Sequence, residues 1–184
     1  MGSIPSLPAF VAGQKLTAAQ LNSMNDFSSF LLTPPQCSAY QGVAQNLTTG
    51  TWGAITLDAE VFDIVQAGDT ASHDNATNNS RIYIRTTGKY EVSGQVQIAS
   101  SASGLRAAQV RLNAAGAVGG GSMVTQNQQS PVSGGSTSVA VGPYVQPFTA
   151  GDYIELFGFQ SSGGTVATVI GQGTTFLRMK FVAS

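Results

Sequence analysis

The chain has 184 residues, of which 42% are hydrophobic and 9% charged, with 22 glycines and a formal net charge of −1. That is one domain of ordinary size plus a short appendage. Its near-neutral balance excludes electrostatic recruitment of nucleic acid or an anionic membrane. The single cysteine, Cys37, excludes an intrachain disulfide, and no apolar run reaches the roughly 18–20 residues that a membrane-spanning helix needs.

Residues 1–15 hold two prolines and several small apolar residues, and read as an extended arm. A helix should start at Thr17, whose hydroxyl can cap it while Gln20 reaches back to complete a capping box. Leu16 and Leu21 occupy the positions of a hydrophobic staple. Leu21, Met24, Phe27 and Leu31 then recur at spacings of three and four, giving one apolar stripe. Thr33-Pro34-Pro35 should stop the helix and separate it from the rest of the chain. A helix of about 15 residues is marginal by itself, so the stripe needs a partner. That partner is two copies of the helix itself, a groove on another protein, or the chain's own β domain.

From residue 37 onward the signals change to strands. "GDTASHDNATNNS", residues 68–80, is dense in turn residues. It contains His73, the only histidine, so any Ser-His-Asp or Cys-His arrangement would have to pass through it. Its oxygen donors Asp69, Asp74 and Asn75 suit Ca²⁺ in type, but the spacing is not that of an EF-hand, and a solvated turn is the expectation. "SRIYIRTTGKYEVSGQVQIAS" alternates, with Ile82, Ile84, Tyr90, Val92, Val96 and Ile98 on one face and a turn at 86–89. "LRAAQVRL" places Ala108, Val110 and Leu112 on one face and Gln109 and Arg111 on the other. Residues 113–138, rich in Gly, Ser and Gln, read as a hairpin with an exposed tip.

"STSVAVGPYVQPF" is another strand. "GDYIELFGFQ" is apolar on both faces, with Ile154 and Leu156 opposite Tyr153, Phe157 and Phe159. A strand buried on both sides makes Tyr153, Phe157 and Phe159 candidates for a subunit interface. Alternation places Asp152 and Glu155 on opposite faces, which argues against shared acid–base work; Asp152 should shape the turn "TAGD". "GQGTTF" begins like a phosphate loop but precedes a strand rather than a helix. "TTFLRMKFVA" closes the chain as a strand. Eight to ten short strands punctuated by Gly, Asn, Pro and Ser make an all-β sandwich or barrel. No constellation of side chains implies an enzyme, a metal or a cofactor.

"GKYEVSGQVQI", "AAQVRLN", "FTAGDYIELFGFQSSG" and "TFLRMKFV" resemble, in order and spacing, the C1q/TNF-like jelly roll over residues 37–184. The resemblance implies a tight homotrimer packed about a threefold axis, with residues 1–36 as a separate arm and anchor helix. "FVAGQKLTAAQLNSMNDFSSFL" is similar to a segment near the N-terminus of many bacteriophage virion proteins. Phe10 stands for its aromatic; Gly13, Leu16, Thr17, Ala18, Leu21 and Asn22 match, and Gln14 replaces the common Glu. This resemblance implies a virion appendage that docks through residues 1–33 on other virion proteins. Tail-tip or tail-fibre contact with a host cell-surface ligand is the first expectation, and capsid decoration or a head fibre the alternative. The displayed surface would then be loops 69–80 and 113–138. A secreted C1q-like ligand would call for a signal peptide or a Gly-X-Y stalk, and neither is legible. A polysaccharide-cleaving enzyme would need two paired carboxylates, and none of the nine acidic residues is convincingly paired in a groove.

Overall fold

The computed structural model describes residues 3–184; Met1 and Gly2, the start of the expected arm, lie outside the described residues. The helix α1 spans Ala18–Leu32, where the capping signals place it. The Gln20 N–H donates to Thr17 Oγ1 at 3.2 Å and the Thr17 N–H to Gln20 Oε1 at 3.0 Å. At the other end the Thr33 N–H and hydroxyl both donate to the Ser29 carbonyl, and Pro34 and Pro35 bring no N–H that could continue the ladder.

The helix leads into twelve strands: β1 (Gln36–Tyr40), β2 (Asn46–Leu47), β3 (Gly53–Ala54), β4 (Ala59–Ile64), β5 (Arg81–Tyr83), β6 (Gly88–Ile98), β7 (Arg106–Leu112), β8 (Ser122–Gln129), β9 (Thr137–Phe148), β10 (Tyr153–Gln160), β11 (Val166–Ala167) and β12 (Phe176–Ala183). A five-stranded antiparallel sheet runs in the order β4-β1-β12-β6-β9. A second runs β3-β10-β7-β8, with β5 also pairing β10, and β11 pairs β2. The sheets face each other as a sandwich. β2, β3 and β11 are only two residues long, too short to show a period of two, which is why the sequence promised fewer strands.

Much of the core is the alternate residues that the sequence marked, joined by Leu47, Ile55, Leu57 and Phe148. In the first sheet Tyr90 opposes Phe181, Val92 opposes Met179 and Val96 opposes Val139, so each pair shares one face. Ile82, Ile84, Ala108, Val110, Ile154 and Leu156 meet them from the second sheet. Tyr90 stands edge-on to Phe181, ring centroids 5.4 Å apart, and its buried hydroxyl donates to the Thr86 carbonyl at 2.7 Å.

The expectation that Pro34-Pro35 cuts the helix off from the sandwich is corrected. Phe30, outside the proposed stripe, is 4% exposed and belongs to the core cluster. The Phe181 N–H also donates to the Pro35 carbonyl. A diproline ends a helix because it lacks N–H donors, but its carbonyls remain acceptors for a neighbouring strand. The last turn of α1 is therefore stapled to the end of β12.

At the far side of the first sheet, β9 leaves carbonyls unpaired. The Asn127 side chain donates to the Ala140 carbonyl at 2.9 Å and Gln129 to the Ser138 carbonyl at 2.6 Å. Side-chain amides of β8 thus close one edge of the sandwich.

Candidate display and attachment surfaces

The first surface is the N-terminal segment. Eight of the seventeen exposed large apolar residues among those described lie within residues 7–32: Leu7, Phe10, Val11, Leu16, Leu21, Met24, Leu31 and Leu32. A cleft of about 760 Å³ separates arm and helix from residues 65–69, and the helix lines it with Ser23, Asp26 and Ser29. At about 100° per residue these three share one side of α1 with Phe30, while Leu21, Met24 and Leu31 fall nearly opposite. The helix thus turns a hydroxyl-rich side to its own domain and its apolar stripe to the outside. Leu21 is 50%, Met24 40% and Leu31 62% exposed. Of the predicted stripe only Phe27 is half-buried, and Leu16, the other half of the staple, is exposed with Leu21. The chain's own β domain does not cover this stripe.

The second surface is the outer face of β10. Phe157, expected at a subunit interface, is fully buried within the single chain. Its neighbours explain why. β3 and β7 flank it, with Ala54 and Gln109 directly opposite, and Gln109 is itself buried. Phe159 lies 5.2 Å from Trp52, centroid to centroid, and Tyr153 lies 5.4 Å from Tyr83. The chain's own rings and loops cover Phe157 fully and leave Tyr153 and Phe159 half-buried.

Glu155, fully buried on the same strand, holds that face together. Its Oε1 accepts from the Ser80 hydroxyl at 2.8 Å and from Arg81 Nε at 3.4 Å. Its Oε2 accepts from the Gly116 N–H at 3.1 Å. The two loops read separately as display candidates are therefore fastened to one carboxylate. Of residues 113–138, expected as a hairpin with an exposed tip, 113–121 form a pinned loop: the Ala115 N–H donates to the Tyr153 hydroxyl, and the Arg111 guanidinium donates to the Gly120 and Gly121 carbonyls. Gly121 closes the loop at φ +56°, and a Cβ there would lie 1.8 Å from the Leu112 carbonyl oxygen, so only glycine fits. Residues 122–129 are β8, and 130–136 form the remaining tip. Asp152 shapes its turn as expected, its carboxylate accepting from the Thr149 N–H at 2.8 Å.

The solvated turn expected around His73 is also corrected. His73 is 3% exposed. Its Nδ1 lies 2.8 Å from Glu60 Oε1, and its Nε2 lies 3.1 Å from the Asn79 carbonyl oxygen. A carbonyl only accepts, so Nε2 carries a hydrogen. The His73 N–H donates to Asp63 Oδ2 at 3.0 Å. Burial holds the Asp63 carboxyl above the usual carboxylate range. Loop 69–80 is in this way pinned to β4, and no sequence periodicity could have shown the pairing. Burial, helped by the nearby Asp63 and Glu60 charges, also pushes the Cys37 thiol up, so it stays protonated. Asp74 spends its Oδ1 on the Ala76 and Thr77 N–H groups. Among the described residues, no three of His, Cys, Asp and Glu converge to hold a metal ion.

No protein family matches the sequence, and no curated protein does. Solved structures do match in fold. Murine APRIL at pH 5.0 aligns with a TM-score of 0.59 at 13% identity, over 80% of this chain and 98% of that one. The Eiger TNF of S. frugiperda aligns with a TM-score of 0.55 at 14% identity, over 82% of this chain and 94% of that one. The fold is an all-β, TNF-like jelly roll preceded by an arm and one short helix.

Proposed function

We propose that this chain is a structural protein of a bacteriophage virion. It is a homotrimer whose N-terminal segment docks on other virion proteins and whose jelly roll is displayed outward, at a tail tip or tail fibre, for contact with the host surface. It is not an enzyme and uses no cofactor. The observation that carries the reading is the orientation of α1. Its apolar stripe faces away from the jelly roll that follows it. Contiguous apolar surface of that kind marks an interaction site. The arm-and-helix sequence that surrounds it resembles the docking segment of virion proteins.

Assembly into a ring has its own support. Val61 and Phe62 are exposed on β4, and Tyr144 and Val145 on β9. These strands are the two opposite edges of one five-stranded sheet. Two different patches on one subunit suit a head-to-tail contact that closes by rotation. Phe157 does not serve there, because the chain covers it fully; Tyr153 and Phe159 stay half-buried.

Immunogold labelling of intact particles with an antibody to the jelly roll tests the proposal, together with sedimentation of the purified chain. Label at the tail tip and a trimeric mass are expected. Label over the head would favour capsid decoration, a reading supported by the tip at 130–136, which carries no aromatic residue. Absence of label from particles sinks the virion assignment, and a stable monomer sinks the ring.

A further inference from the structure

A second concavity, of about 470 Å³, opens where loop 69–80 meets the end of β5. Its wall includes Thr70, Asp74, Thr77, Asn78, Tyr83 and Arg85. The sequence offered no aromatic residue in the loop itself; the fold supplies one from the adjacent strand. We infer that this concavity is a binding site for a neutral saccharide. The inference rests on the reading of the jelly roll as the displayed domain and names the class of ligand it takes.

A sugar presents hydroxyls that both donate and accept, together with small apolar patches of C–H. The wall answers each. Thr70, Thr77 and Asn78 carry groups that donate and accept. Asp74 is an acceptor with one oxygen left over after its turn is made. Hydrogen bonds from the Thr77 and Ala76 N–H groups hold its carboxyl below the usual range, so it is ionised. Arg85 is a donor, its guanidinium 4.9 Å from the Tyr83 ring centroid and bonded to the Ala71 carbonyl. Tyr83 brings the ring.

One carboxylate and one guanidinium on the same wall cancel, which favours an uncharged ligand over an acidic one. No large aliphatic side chain lines the space, as an apolar peptide would require.

The site is also held in place before any ligand arrives. His73 ties the loop to Glu60 and Asp63 of β4, and Ser80 and Arg81 tie its other end to Glu155. Asn78 sits at φ +50°, fixed where the Arg81 N–H donates to its carbonyl. Tyr83 is backed by Tyr153, which Arg81 covers at 4.5 Å. Fixed polar groups lose less entropy on binding than free ones.

The test is an array of defined oligosaccharides, with neutral hexose and N-acetylhexosamine members beside uronic-acid members, probed with the full chain and its variants. Wild type should retain neutral members. Asp74→Asn, which keeps the turn acceptor, and Thr77→Val should each weaken binding roughly tenfold. Arg85→Gln should do at least as much, and Met123→Ser, on the distant β8, should change nothing. Thermal melts of every variant establish that the fold is kept; should Arg85→Gln melt early, Tyr83→Leu, which removes the ring, takes its place, with the same expected loss. No binding by wild type, retention of uronic-acid members alone, or binding unaffected in folded variants overturns the inference. Array binding by a chain absent from labelled particles would keep the saccharide site and remove the virion reading; labelled particles with an empty array would do the reverse.

Discussion

Phe30 meets Phe181 edge to face, ring centroids 5.0 Å apart and planes at 79°. The first belongs to the helix and the second to the last strand, and Tyr90 completes the group, edge-on to Phe181. The contact fixes where the N-terminal segment ends and the jelly roll begins. Truncating Phe30 to Ala should cost about 3 kcal/mol, the usual loss for a buried ring. Removal of residues 1–28, which also takes away Ile4 from its place against the core, should lower the melting temperature slightly, whereas removal of 1–33 should lower it by at least as much as Phe30→Ala does. Denaturation of the three variants side by side checks this; equal stability of all of them would mean that the ring pair contributes nothing.

Phe157→Asp should unfold the chain rather than merely separate subunits. The side chain is fully buried within one chain, and an unpaired carboxylate there costs about 4 kcal/mol or more. Circular dichroism at concentrations where the wild type is assembled and where it is dissociated distinguishes the two. A folded, dissociated variant would return Phe157 to the interface.

Tyr90 sets an alkaline limit. Burial pushes its phenol up to about 12, against about 10 for an unfolded tyrosine. The folded state therefore holds a proton that the unfolded chain has lost. Its contribution to stability is whole below about pH 10 and falls away as the pH rises through about 12. Tyr90→Phe should remove that dependence and, by losing the bond to the Thr86 carbonyl, cost about 1 kcal/mol near neutrality. Melting curves from pH 8 to 12 check both effects.

Cys37 should resist thiol reagents in the native state and react once the chain is denatured, because it is fully buried and its thiolate is disfavoured. Rapid labelling of the folded protein would mean that the edge strand β4, which covers it through Asp63, opens readily.

Much of this fold was legible in local chemistry. The capping box at Thr17 and Gln20 located the helix to the residue, and the alternation through Tyr90, Val92, Val96 and Ile98 named the core face of β6. What stayed hidden depends on residues far apart in sequence. Period two says that Phe157 points away from Leu156, but not that β3 and Trp52 would come to shield that side. A run of turn residues around His73 looks solvated until β4 brings Glu60 and Asp63 beside it. Glu155 reads as a lone acid in a strand; only the closed fold shows Ser80, 75 residues earlier, and Gly116, 39 earlier, sharing its two oxygens. The apolar stripe of α1 was visible in the sequence, whereas its outward orientation was not, because the one helix residue that is buried, Phe30, lies outside the stripe.

The amides that Asn127 and Gln129 extend to the carbonyls of β9 have a consequence for how copies can meet. An open strand edge invites another chain to zip on by backbone pairing, without limit and with little regard for sequence. Here two acceptors on that edge are already taken from within. Growth by strand addition is hindered at this margin, so copies that meet there meet through side-chain faces, where shape rather than the peptide backbone sets the number of members.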